Sequence, residues 1–205
     1  MKNTPIHFLA LGDSYTIGES VPVELNFPNQ LFRMANEEGI RMEKPRIIAK
    51  TGWTTDELIK GIEEANEAEP IGKDHDLVSL LIGVNNQYQG KLVEEFKKEF
   101  SALLEMALDF AGGRFKNLMI ISIPDWGVTP FAADRDRNQI SREIDAFNKV
   151  VETIAKSRNI HYIYVTKWTR EADTKPGLLA EDCLHPSAIE YERWSLQMLS
   201  YLKKI

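Results

Sequence analysis

Ser14 follows Gly12 and Asp13 at the end of an apolar run, and His185 follows Asp182 by three residues near the other end of the chain. A serine hydroxyl is a weak nucleophile on its own. A histidine within hydrogen-bond reach can take its proton near neutrality, and a carboxylate behind the ring fixes the tautomer and stabilises the imidazolium formed during attack. Three-residue spacing on a helical turn puts Asp182 and His185 on the same side. Acyl transfer also needs donors for a tetrahedral oxyanion. Gly52 offers an unshielded backbone N–H, Asn85 a side-chain amide, and Ser14 its own backbone N–H. Together these residue types point to attack on a carbonyl by Ser14, with His185 as base, Asp182 as its orienting partner, and Ser14, Gly52 and Asn85 as the oxyanion hole. Each has a plainer reading alone: a Gly-Asp-Ser turn, a helix-capping aspartate, a surface histidine, a turn glycine or asparagine.

What joins them is the succession of elements around them. Five strand-sized apolar runs, 6–11, 46–49, 77–82, 118–123 and 161–165, are rich in Ile, Leu and Val and mostly unalternated. Strands buried on both faces read this way. Between them, apolar residues recur at steps of three and four. One stripe joins Val93, Phe96, Phe100, Leu103, Leu104, Ala107 and Phe110; another joins Ile140, Ile144, Phe147, Val150, Val151 and Ile154. Helices are also expected over 28–38 and 55–66, the second opening on Thr54 and Glu57 at capping-box spacing, and a last one from about Pro186 and Ser187. Alternating strands and helices predict an α/β chain with a parallel sheet covered on both faces. Ligands of such sheets bind beyond the carboxyl ends of the strands. Ser14 follows the first strand, Gly52 the second and Asn85 the third, while Asp182 and His185 close the loop before the last helix, so four loops can meet at one rim.

In this order, Gly12-Asp13-Ser14, Gly52, Gly83-Val84-Asn85 and Asp182-Cys183-Leu184-His185 resemble the four sequence blocks of the SGNH hydrolases, also called GDSL esterases and lipases. The resemblance spans the chain from the first strand to the last helix. It implies a three-layer α/β/α, flavodoxin-like fold, hydrolysis of esters or thioesters through Ser14, His185 and Asp182, an oxyanion hole from Ser14, Gly52 and Asn85, and no metal or other cofactor. One position departs from it. The family usually carries aspartate after the block-three asparagine, where this chain has Asn86, and a neutral amide cannot accept on both of its terminal atoms as a carboxylate does.

Length and composition set the remaining bounds. A chain of 205 residues, 43% hydrophobic and 27% charged, suits one globular domain over 1–205. Its net charge of -6 argues against nucleic acid or an anionic membrane as partner. No run approaches the roughly 20 apolar residues of a membrane span. The N-terminus lacks the pattern of a secretory leader, which makes a cytoplasmic location the default, although a chain that had lost its leader would read the same. The partner expected is a small-molecule ester; composition leaves the oligomeric state open.

Several residues are weighed and set aside. Asp74-His75-Asp76 has residue types that can ligate a metal, but it precedes the third strand, at the end away from the proposed site, and is not taken as a metal site. Cys183, the one cysteine, reads as a small buried thiol. Trp53, Trp126 and Phe131 are candidates for a substrate wall, Trp126 foremost, from the long connection 124–136. Two rivals share some of these groups. An acyltransferase would use the same triad with an alcohol in place of water. A flavin- or phosphate-binding module would cradle its ligand with Ser14, Tyr15, Thr16 and Gly18, and would leave Asp182 and His185 without a role.

Overall fold

The computed structural model describes residues 4–204. Its core is one sheet of five parallel strands: β1 (Phe8–Gly12), β2 (Arg46–Ala49), β3 (Leu77–Leu81), β4 (Leu118–Ile121) and β5 (His161–Ile163), in the order β2-β1-β3-β4-β5. That order is the flavodoxin-like one, with its reversal between β1 and β3. Leu11 pairs with Ile48 on one side and Leu80 on the other, and β1, β3 and β4 are buried throughout. Their unbroken apolar runs are the consequence of being covered on both faces.

Eight α-helices cover or cap this sheet among the described residues: α1 (Ser14–Ile17), α2 (Phe27–Glu37), α3 (Thr55–Ala68), α4 (Val84–Tyr88), α5 (Val93–Phe110), α6 (Arg137–Ser157), α7 (Thr166–Thr169) and α8 (Ala188–Leu202). Helices α3, α5 and α6 pack side by side as one layer, and α2 packs against α8 as the other, giving a three-layer α/β/α arrangement. The stripes of α5 and α6 are the buried ones: Phe96, Phe100 and Leu103 on α5, Ile144, Phe147 and Val151 on α6. Phe96 and Phe147 meet across the two helices with ring centroids 4.7 Å apart. On the opposite face Phe27, Tyr191 and Trp194 form an aromatic cluster between α2 and α8. None of these helices is long and apolar enough to cross a membrane.

Four of the five strands end or begin differently from the sequence expectation. β1 starts at Phe8 and runs on to Gly12, with Ile6 held outside it in an isolated bridge to Met42, and β3, β4 and β5 stop one or two residues early. Apolar character continues past the last ladder hydrogen bond in Ile82, Ile123 and Val165, which stay buried as the chain turns over the rim. Hydrophobicity records burial, and burial outlasts pairing. The short helices α1 and α4, which carry Ser14 and Asn85, fall in stretches expected only as loops. Their four or five residues are too few to show a helical stripe.

Candidate active site

Ser14 opens α1 directly beyond β1. Gly12 makes the approach possible, because a Cβ there would run into the Thr16 side chain and the Leu81 carbonyl. Asp13 caps the helix: its Oδ1 accepts from the Tyr15 N–H at 3.0 Å. Its other carboxyl oxygen is buried with no hydrogen-bond partner among the described residues, and burial pushes the Asp13 carboxyl up to about 7. The Ser14 hydroxyl thus stands on a rigid turn at the strand end, 5% exposed.

His185 reaches it from 171 residues away. His185 Nε2 lies 2.9 Å from Ser14 Oγ, and His185 Nδ1 lies 2.6 Å from Asp182 Oδ2. The loop carrying this pair is tied down on both sides: the Ala180 N–H donates to the His185 carbonyl at 2.8 Å, and the Ser187 N–H to the Leu178 carbonyl at 2.8 Å. Asp182 Oδ1 accepts from the backbone N–H groups of Leu184 (3.0 Å) and His185 (2.9 Å), and Oδ2 also accepts from the Ser20 hydroxyl at 2.7 Å. Partial burial would raise the Asp182 carboxyl, but hydrogen bonds from the His185 ring, Ser20 and these backbone groups outweigh it and hold it at about 2. Asp182 is therefore an anion wherever the protein is folded near neutrality, with its charge directed at the ring.

Ser14, Gly52, Asn85 and His185 line one cavity of about 190 Å³, together with Trp126 and Phe131. Gly52 has φ 85°, a left-handed conformation that side chains rarely adopt, which turns this part of the β2–α3 loop toward the cavity. Asn85 Nδ2 donates to the Trp53 carbonyl at 2.9 Å; this orients the amide and leaves its second hydrogen on the same nitrogen. Asn86, next in the chain, is fully buried. Its Oδ1 accepts from the Thr55 N–H at 3.1 Å, and its Nδ2 donates to Thr55 Oγ1 at 2.6 Å and Glu99 Oε2 at 3.3 Å. The Thr55 hydroxyl donates to the same Glu99 oxygen. An amide suits this place because one end must accept from a backbone N–H while the other faces a carboxylate. Lys91 is hydrogen-bonded to Asp56 at 2.6 Å and lies 3.8 Å from Glu99, so the cluster includes a compensating cation.

All the residues that sequence spacing singles out for chemistry, Ser14, Asp182, His185, Gly52 and Asn85, gather at this rim, and Trp126 stands in the cavity wall. Phe131 lines the cavity too, whereas Trp53 packs over Gly61 of α3. His75 lies before β3, its Nδ1 3.3 Å from the Phe110 carbonyl. Cys183 differs from expectation: it is exposed, in a turn of the Asp182–His185 loop that no other element among the described residues covers closely enough to bury it, and its φ is 57°. Three contributors leave no trace in the sequence. Ser20 and Glu99 gave no sequence signal, being remote in the chain from what they touch. Tyr88 gave none either, because it ends a helix of five residues that is too short to show a stripe.

The sequence profile of the GDSL-like lipase/acylhydrolase family matches residues 10–193. No curated protein sequence matches the chain. Among solved structures, the lipase Lip_vut3 from a goat rumen metagenome is similar at TM-score 0.76 and 20% identity, with 96% of this chain and 97% of that one covered. The lipase/acylhydrolase from Enterococcus faecalis gives TM-score 0.72 and 21% identity over 97% and 96% of the two chains. The psychrotrophic esterase EstA from Pseudoalteromonas sp., in a structure inhibited by monoethylphosphonate, gives 0.72 and 17% over 97% of each. At such identities these likenesses speak to the fold; the profile match, running from the first strand into the last helix, speaks to descent, and the chain belongs to the GDSL-like lipase/acylhydrolase family.

Proposed function

We propose that the protein is a serine esterase that forms an acyl-enzyme on Ser14. The carrying observation is the pair of contacts on one imidazole, Ser14 Oγ at 2.9 Å from Nε2 and Asp182 Oδ2 at 2.6 Å from Nδ1. Asp182 keeps the proton on Nδ1, so that Nε2 is free to accept one. As Ser14 Oγ attacks the ester carbonyl carbon, its proton passes to His185 Nε2, and the negative charge grows on the carbonyl oxygen. The Ser14 and Gly52 backbone N–H groups and the Asn85 amide are the donors for that oxygen. The carbon–oxygen bond to the alcohol then breaks, and the alcohol leaves with the proton from His185. Water enters, gives its proton to His185, attacks the acyl carbon and releases the acid, and the proton returns to Ser14.

The decisive experiment is labelling with a fluorophosphonate followed by peptide mapping, with ethyl ester hydrolysis measured in parallel. The label is expected on Ser14, and Ser14→Ala is expected to reduce hydrolysis by a factor of about 10⁴ to 10⁶ with the fold intact by circular dichroism. A label elsewhere, or an unchanged rate in the variant, refutes the reading. Product analysis with added alcohol separates hydrolysis from acyl transfer to a hydroxyl acceptor, which would use the same groups.

A further inference from the structure

We propose that the cavity beside Ser14 is a subsite for one aromatic ring, making esters with an aryl group on the acid or the alcohol part the preferred substrates; this rests on the esterase reading above. Of the rings that line it, Tyr15 lies beside His185, whereas Tyr88, Trp126 and Phe131 form a connected wall. Tyr88 and Trp126 meet edge-to-face with centroids 5.3 Å apart at 63°, Trp126 and Phe131 at 6.0 Å and 66°, and Tyr88 and Phe131 at 6.4 Å. Trp126 is the fixed back wall: it is buried, its Nε1 donates to Gln87 Oε1 at 2.7 Å, and Gln87 Nε2 donates in turn to Glu143 at 2.7 Å. Tyr88 and Phe131, 48% and 50% exposed, present apolar ring surface that an occupant would cover. The Arg135 guanidinium sits 5.8 Å from the Tyr88 ring centroid, a cation–π contact that orients the phenol.

Charge and size narrow the occupant. Val84 and Leu184 extend the apolar lining, and among the described residues no carboxylate, ammonium or guanidinium lines the cavity, so a charged group set against the Tyr88, Trp126 and Phe131 side, away from the oxyanion donors, would lose water without gaining an ion-pair partner. The volume of about 190 Å³ compares with the roughly 150 Å³ of an engineered apolar protein cavity that accepts benzene. There is room for one ring and its linking methylene, and a long alkyl chain would leave most of its length in solvent. An aromatic occupant also gains the edge-to-face contacts that a chain of equal area lacks, which corresponds to about a two- to tenfold advantage.

The test compares kcat/KM within two pairs matched in apolar area, ethyl phenylacetate against ethyl heptanoate for the acid part and benzyl acetate against hexyl acetate for the alcohol part. In one pair the aromatic member is expected to be at least threefold better, which also identifies the side of the ester that enters. That ratio is expected to fall to about one in the Tyr88→Ala/Phe131→Ala double variant, and by at least twofold in Phe131→Leu, which keeps apolar bulk and removes the ring. Aliphatic members equal or better in both pairs, or a ratio unmoved in both variants, overturn the proposal. Fluorophosphonate labelling of each protein keeps the two claims apart: an unlabelled Ser14 in the parent protein defeats the esterase reading, whereas a labelled Ser14 without ring preference defeats the subsite alone.

Discussion

Two aspartates close to Ser14 and His185 have their carboxyl groups shifted in opposite directions. Asp182, drawn down to about 2, is a fixed anion behind the imidazole. Asp182→Asn keeps an acceptor but can turn an N–H toward His185 Nδ1, which favours the tautomer that cannot accept from Ser14. Turnover is expected to drop by about 10⁴ with folding retained, read from ester hydrolysis at neutral pH. Asn85→Ala is expected to cost about 10² to 10³ in kcat, because only one of several donors to the oxyanion is removed. Asp13, pushed up to about 7 by burial, behaves differently. Its native carboxyl binds its proton more tightly than an unfolded one at 3.8, so the folded state holds more protons between about pH 4 and 7 and loses stability as the pH rises through that window. Asp13→Asn keeps the cap acceptor and removes the ionisation. Its Tm relative to the parent protein is therefore expected to be higher at pH 8 than at pH 5, and equal differences at the two pH values would contradict that account.

At the scale of elements, the oxyanion donors depend on how two loops are spliced. Asn85 bonds the Trp53 carbonyl and Asn86 bonds the Thr55 N–H, so the end of β3 and the start of α3 are stitched by adjacent residues, with Glu99 of α5 as the anchor. Asn86→Asp would set a carboxylate against Glu99 and remove a donor, at a cost of roughly 1–3 kcal/mol. The variant is expected to lose kcat more than it gains KM, because the substrate's apolar contacts lie elsewhere. Combining it with Glu99→Gln supplies an amide on the other side of the same contact and is expected to recover most of the loss. Kinetics of the two single variants and the double form a cycle, and a coupling below about 0.5 kcal/mol would remove Glu99 from this role.

Over the whole molecule, the triad joins the first strand to the turn before the last helix, so its geometry depends on how α8 is seated. Trp194 is fully buried between Phe27 and Tyr191, and its Nε1 donates to buried Glu190 at 2.9 Å. Trp194→Ala is expected to cost about 3–5 kcal/mol by urea unfolding, through the cavity it leaves and the hydrogen bond it deletes. We take residues 1–205 as one domain, for which far-ultraviolet circular dichroism and tryptophan fluorescence should report the same midpoint. Separated transitions would show that the layers unfold independently.

The amino-acid sequence by itself determined the alternation of strands and helices, the parallel sheet, the faces that α5 and α6 bury, and which residues could do chemistry. These follow from apolar periodicity and from residue types whose reactivity is intrinsic, such as the hydroxyl of Ser14 and the imidazole of His185. Only the tertiary structure decided that Ser20 and two backbone N–H groups hold Asp182, that Asn86 is matched by Glu99, that Cys183 faces solvent and that Tyr88 and Phe131 join Trp126 around the cavity. Those are contacts between residues without periodic relation along the chain, fixed by loop closure over the sheet rim, and no local pattern encodes which distant side chain a buried polar atom will meet.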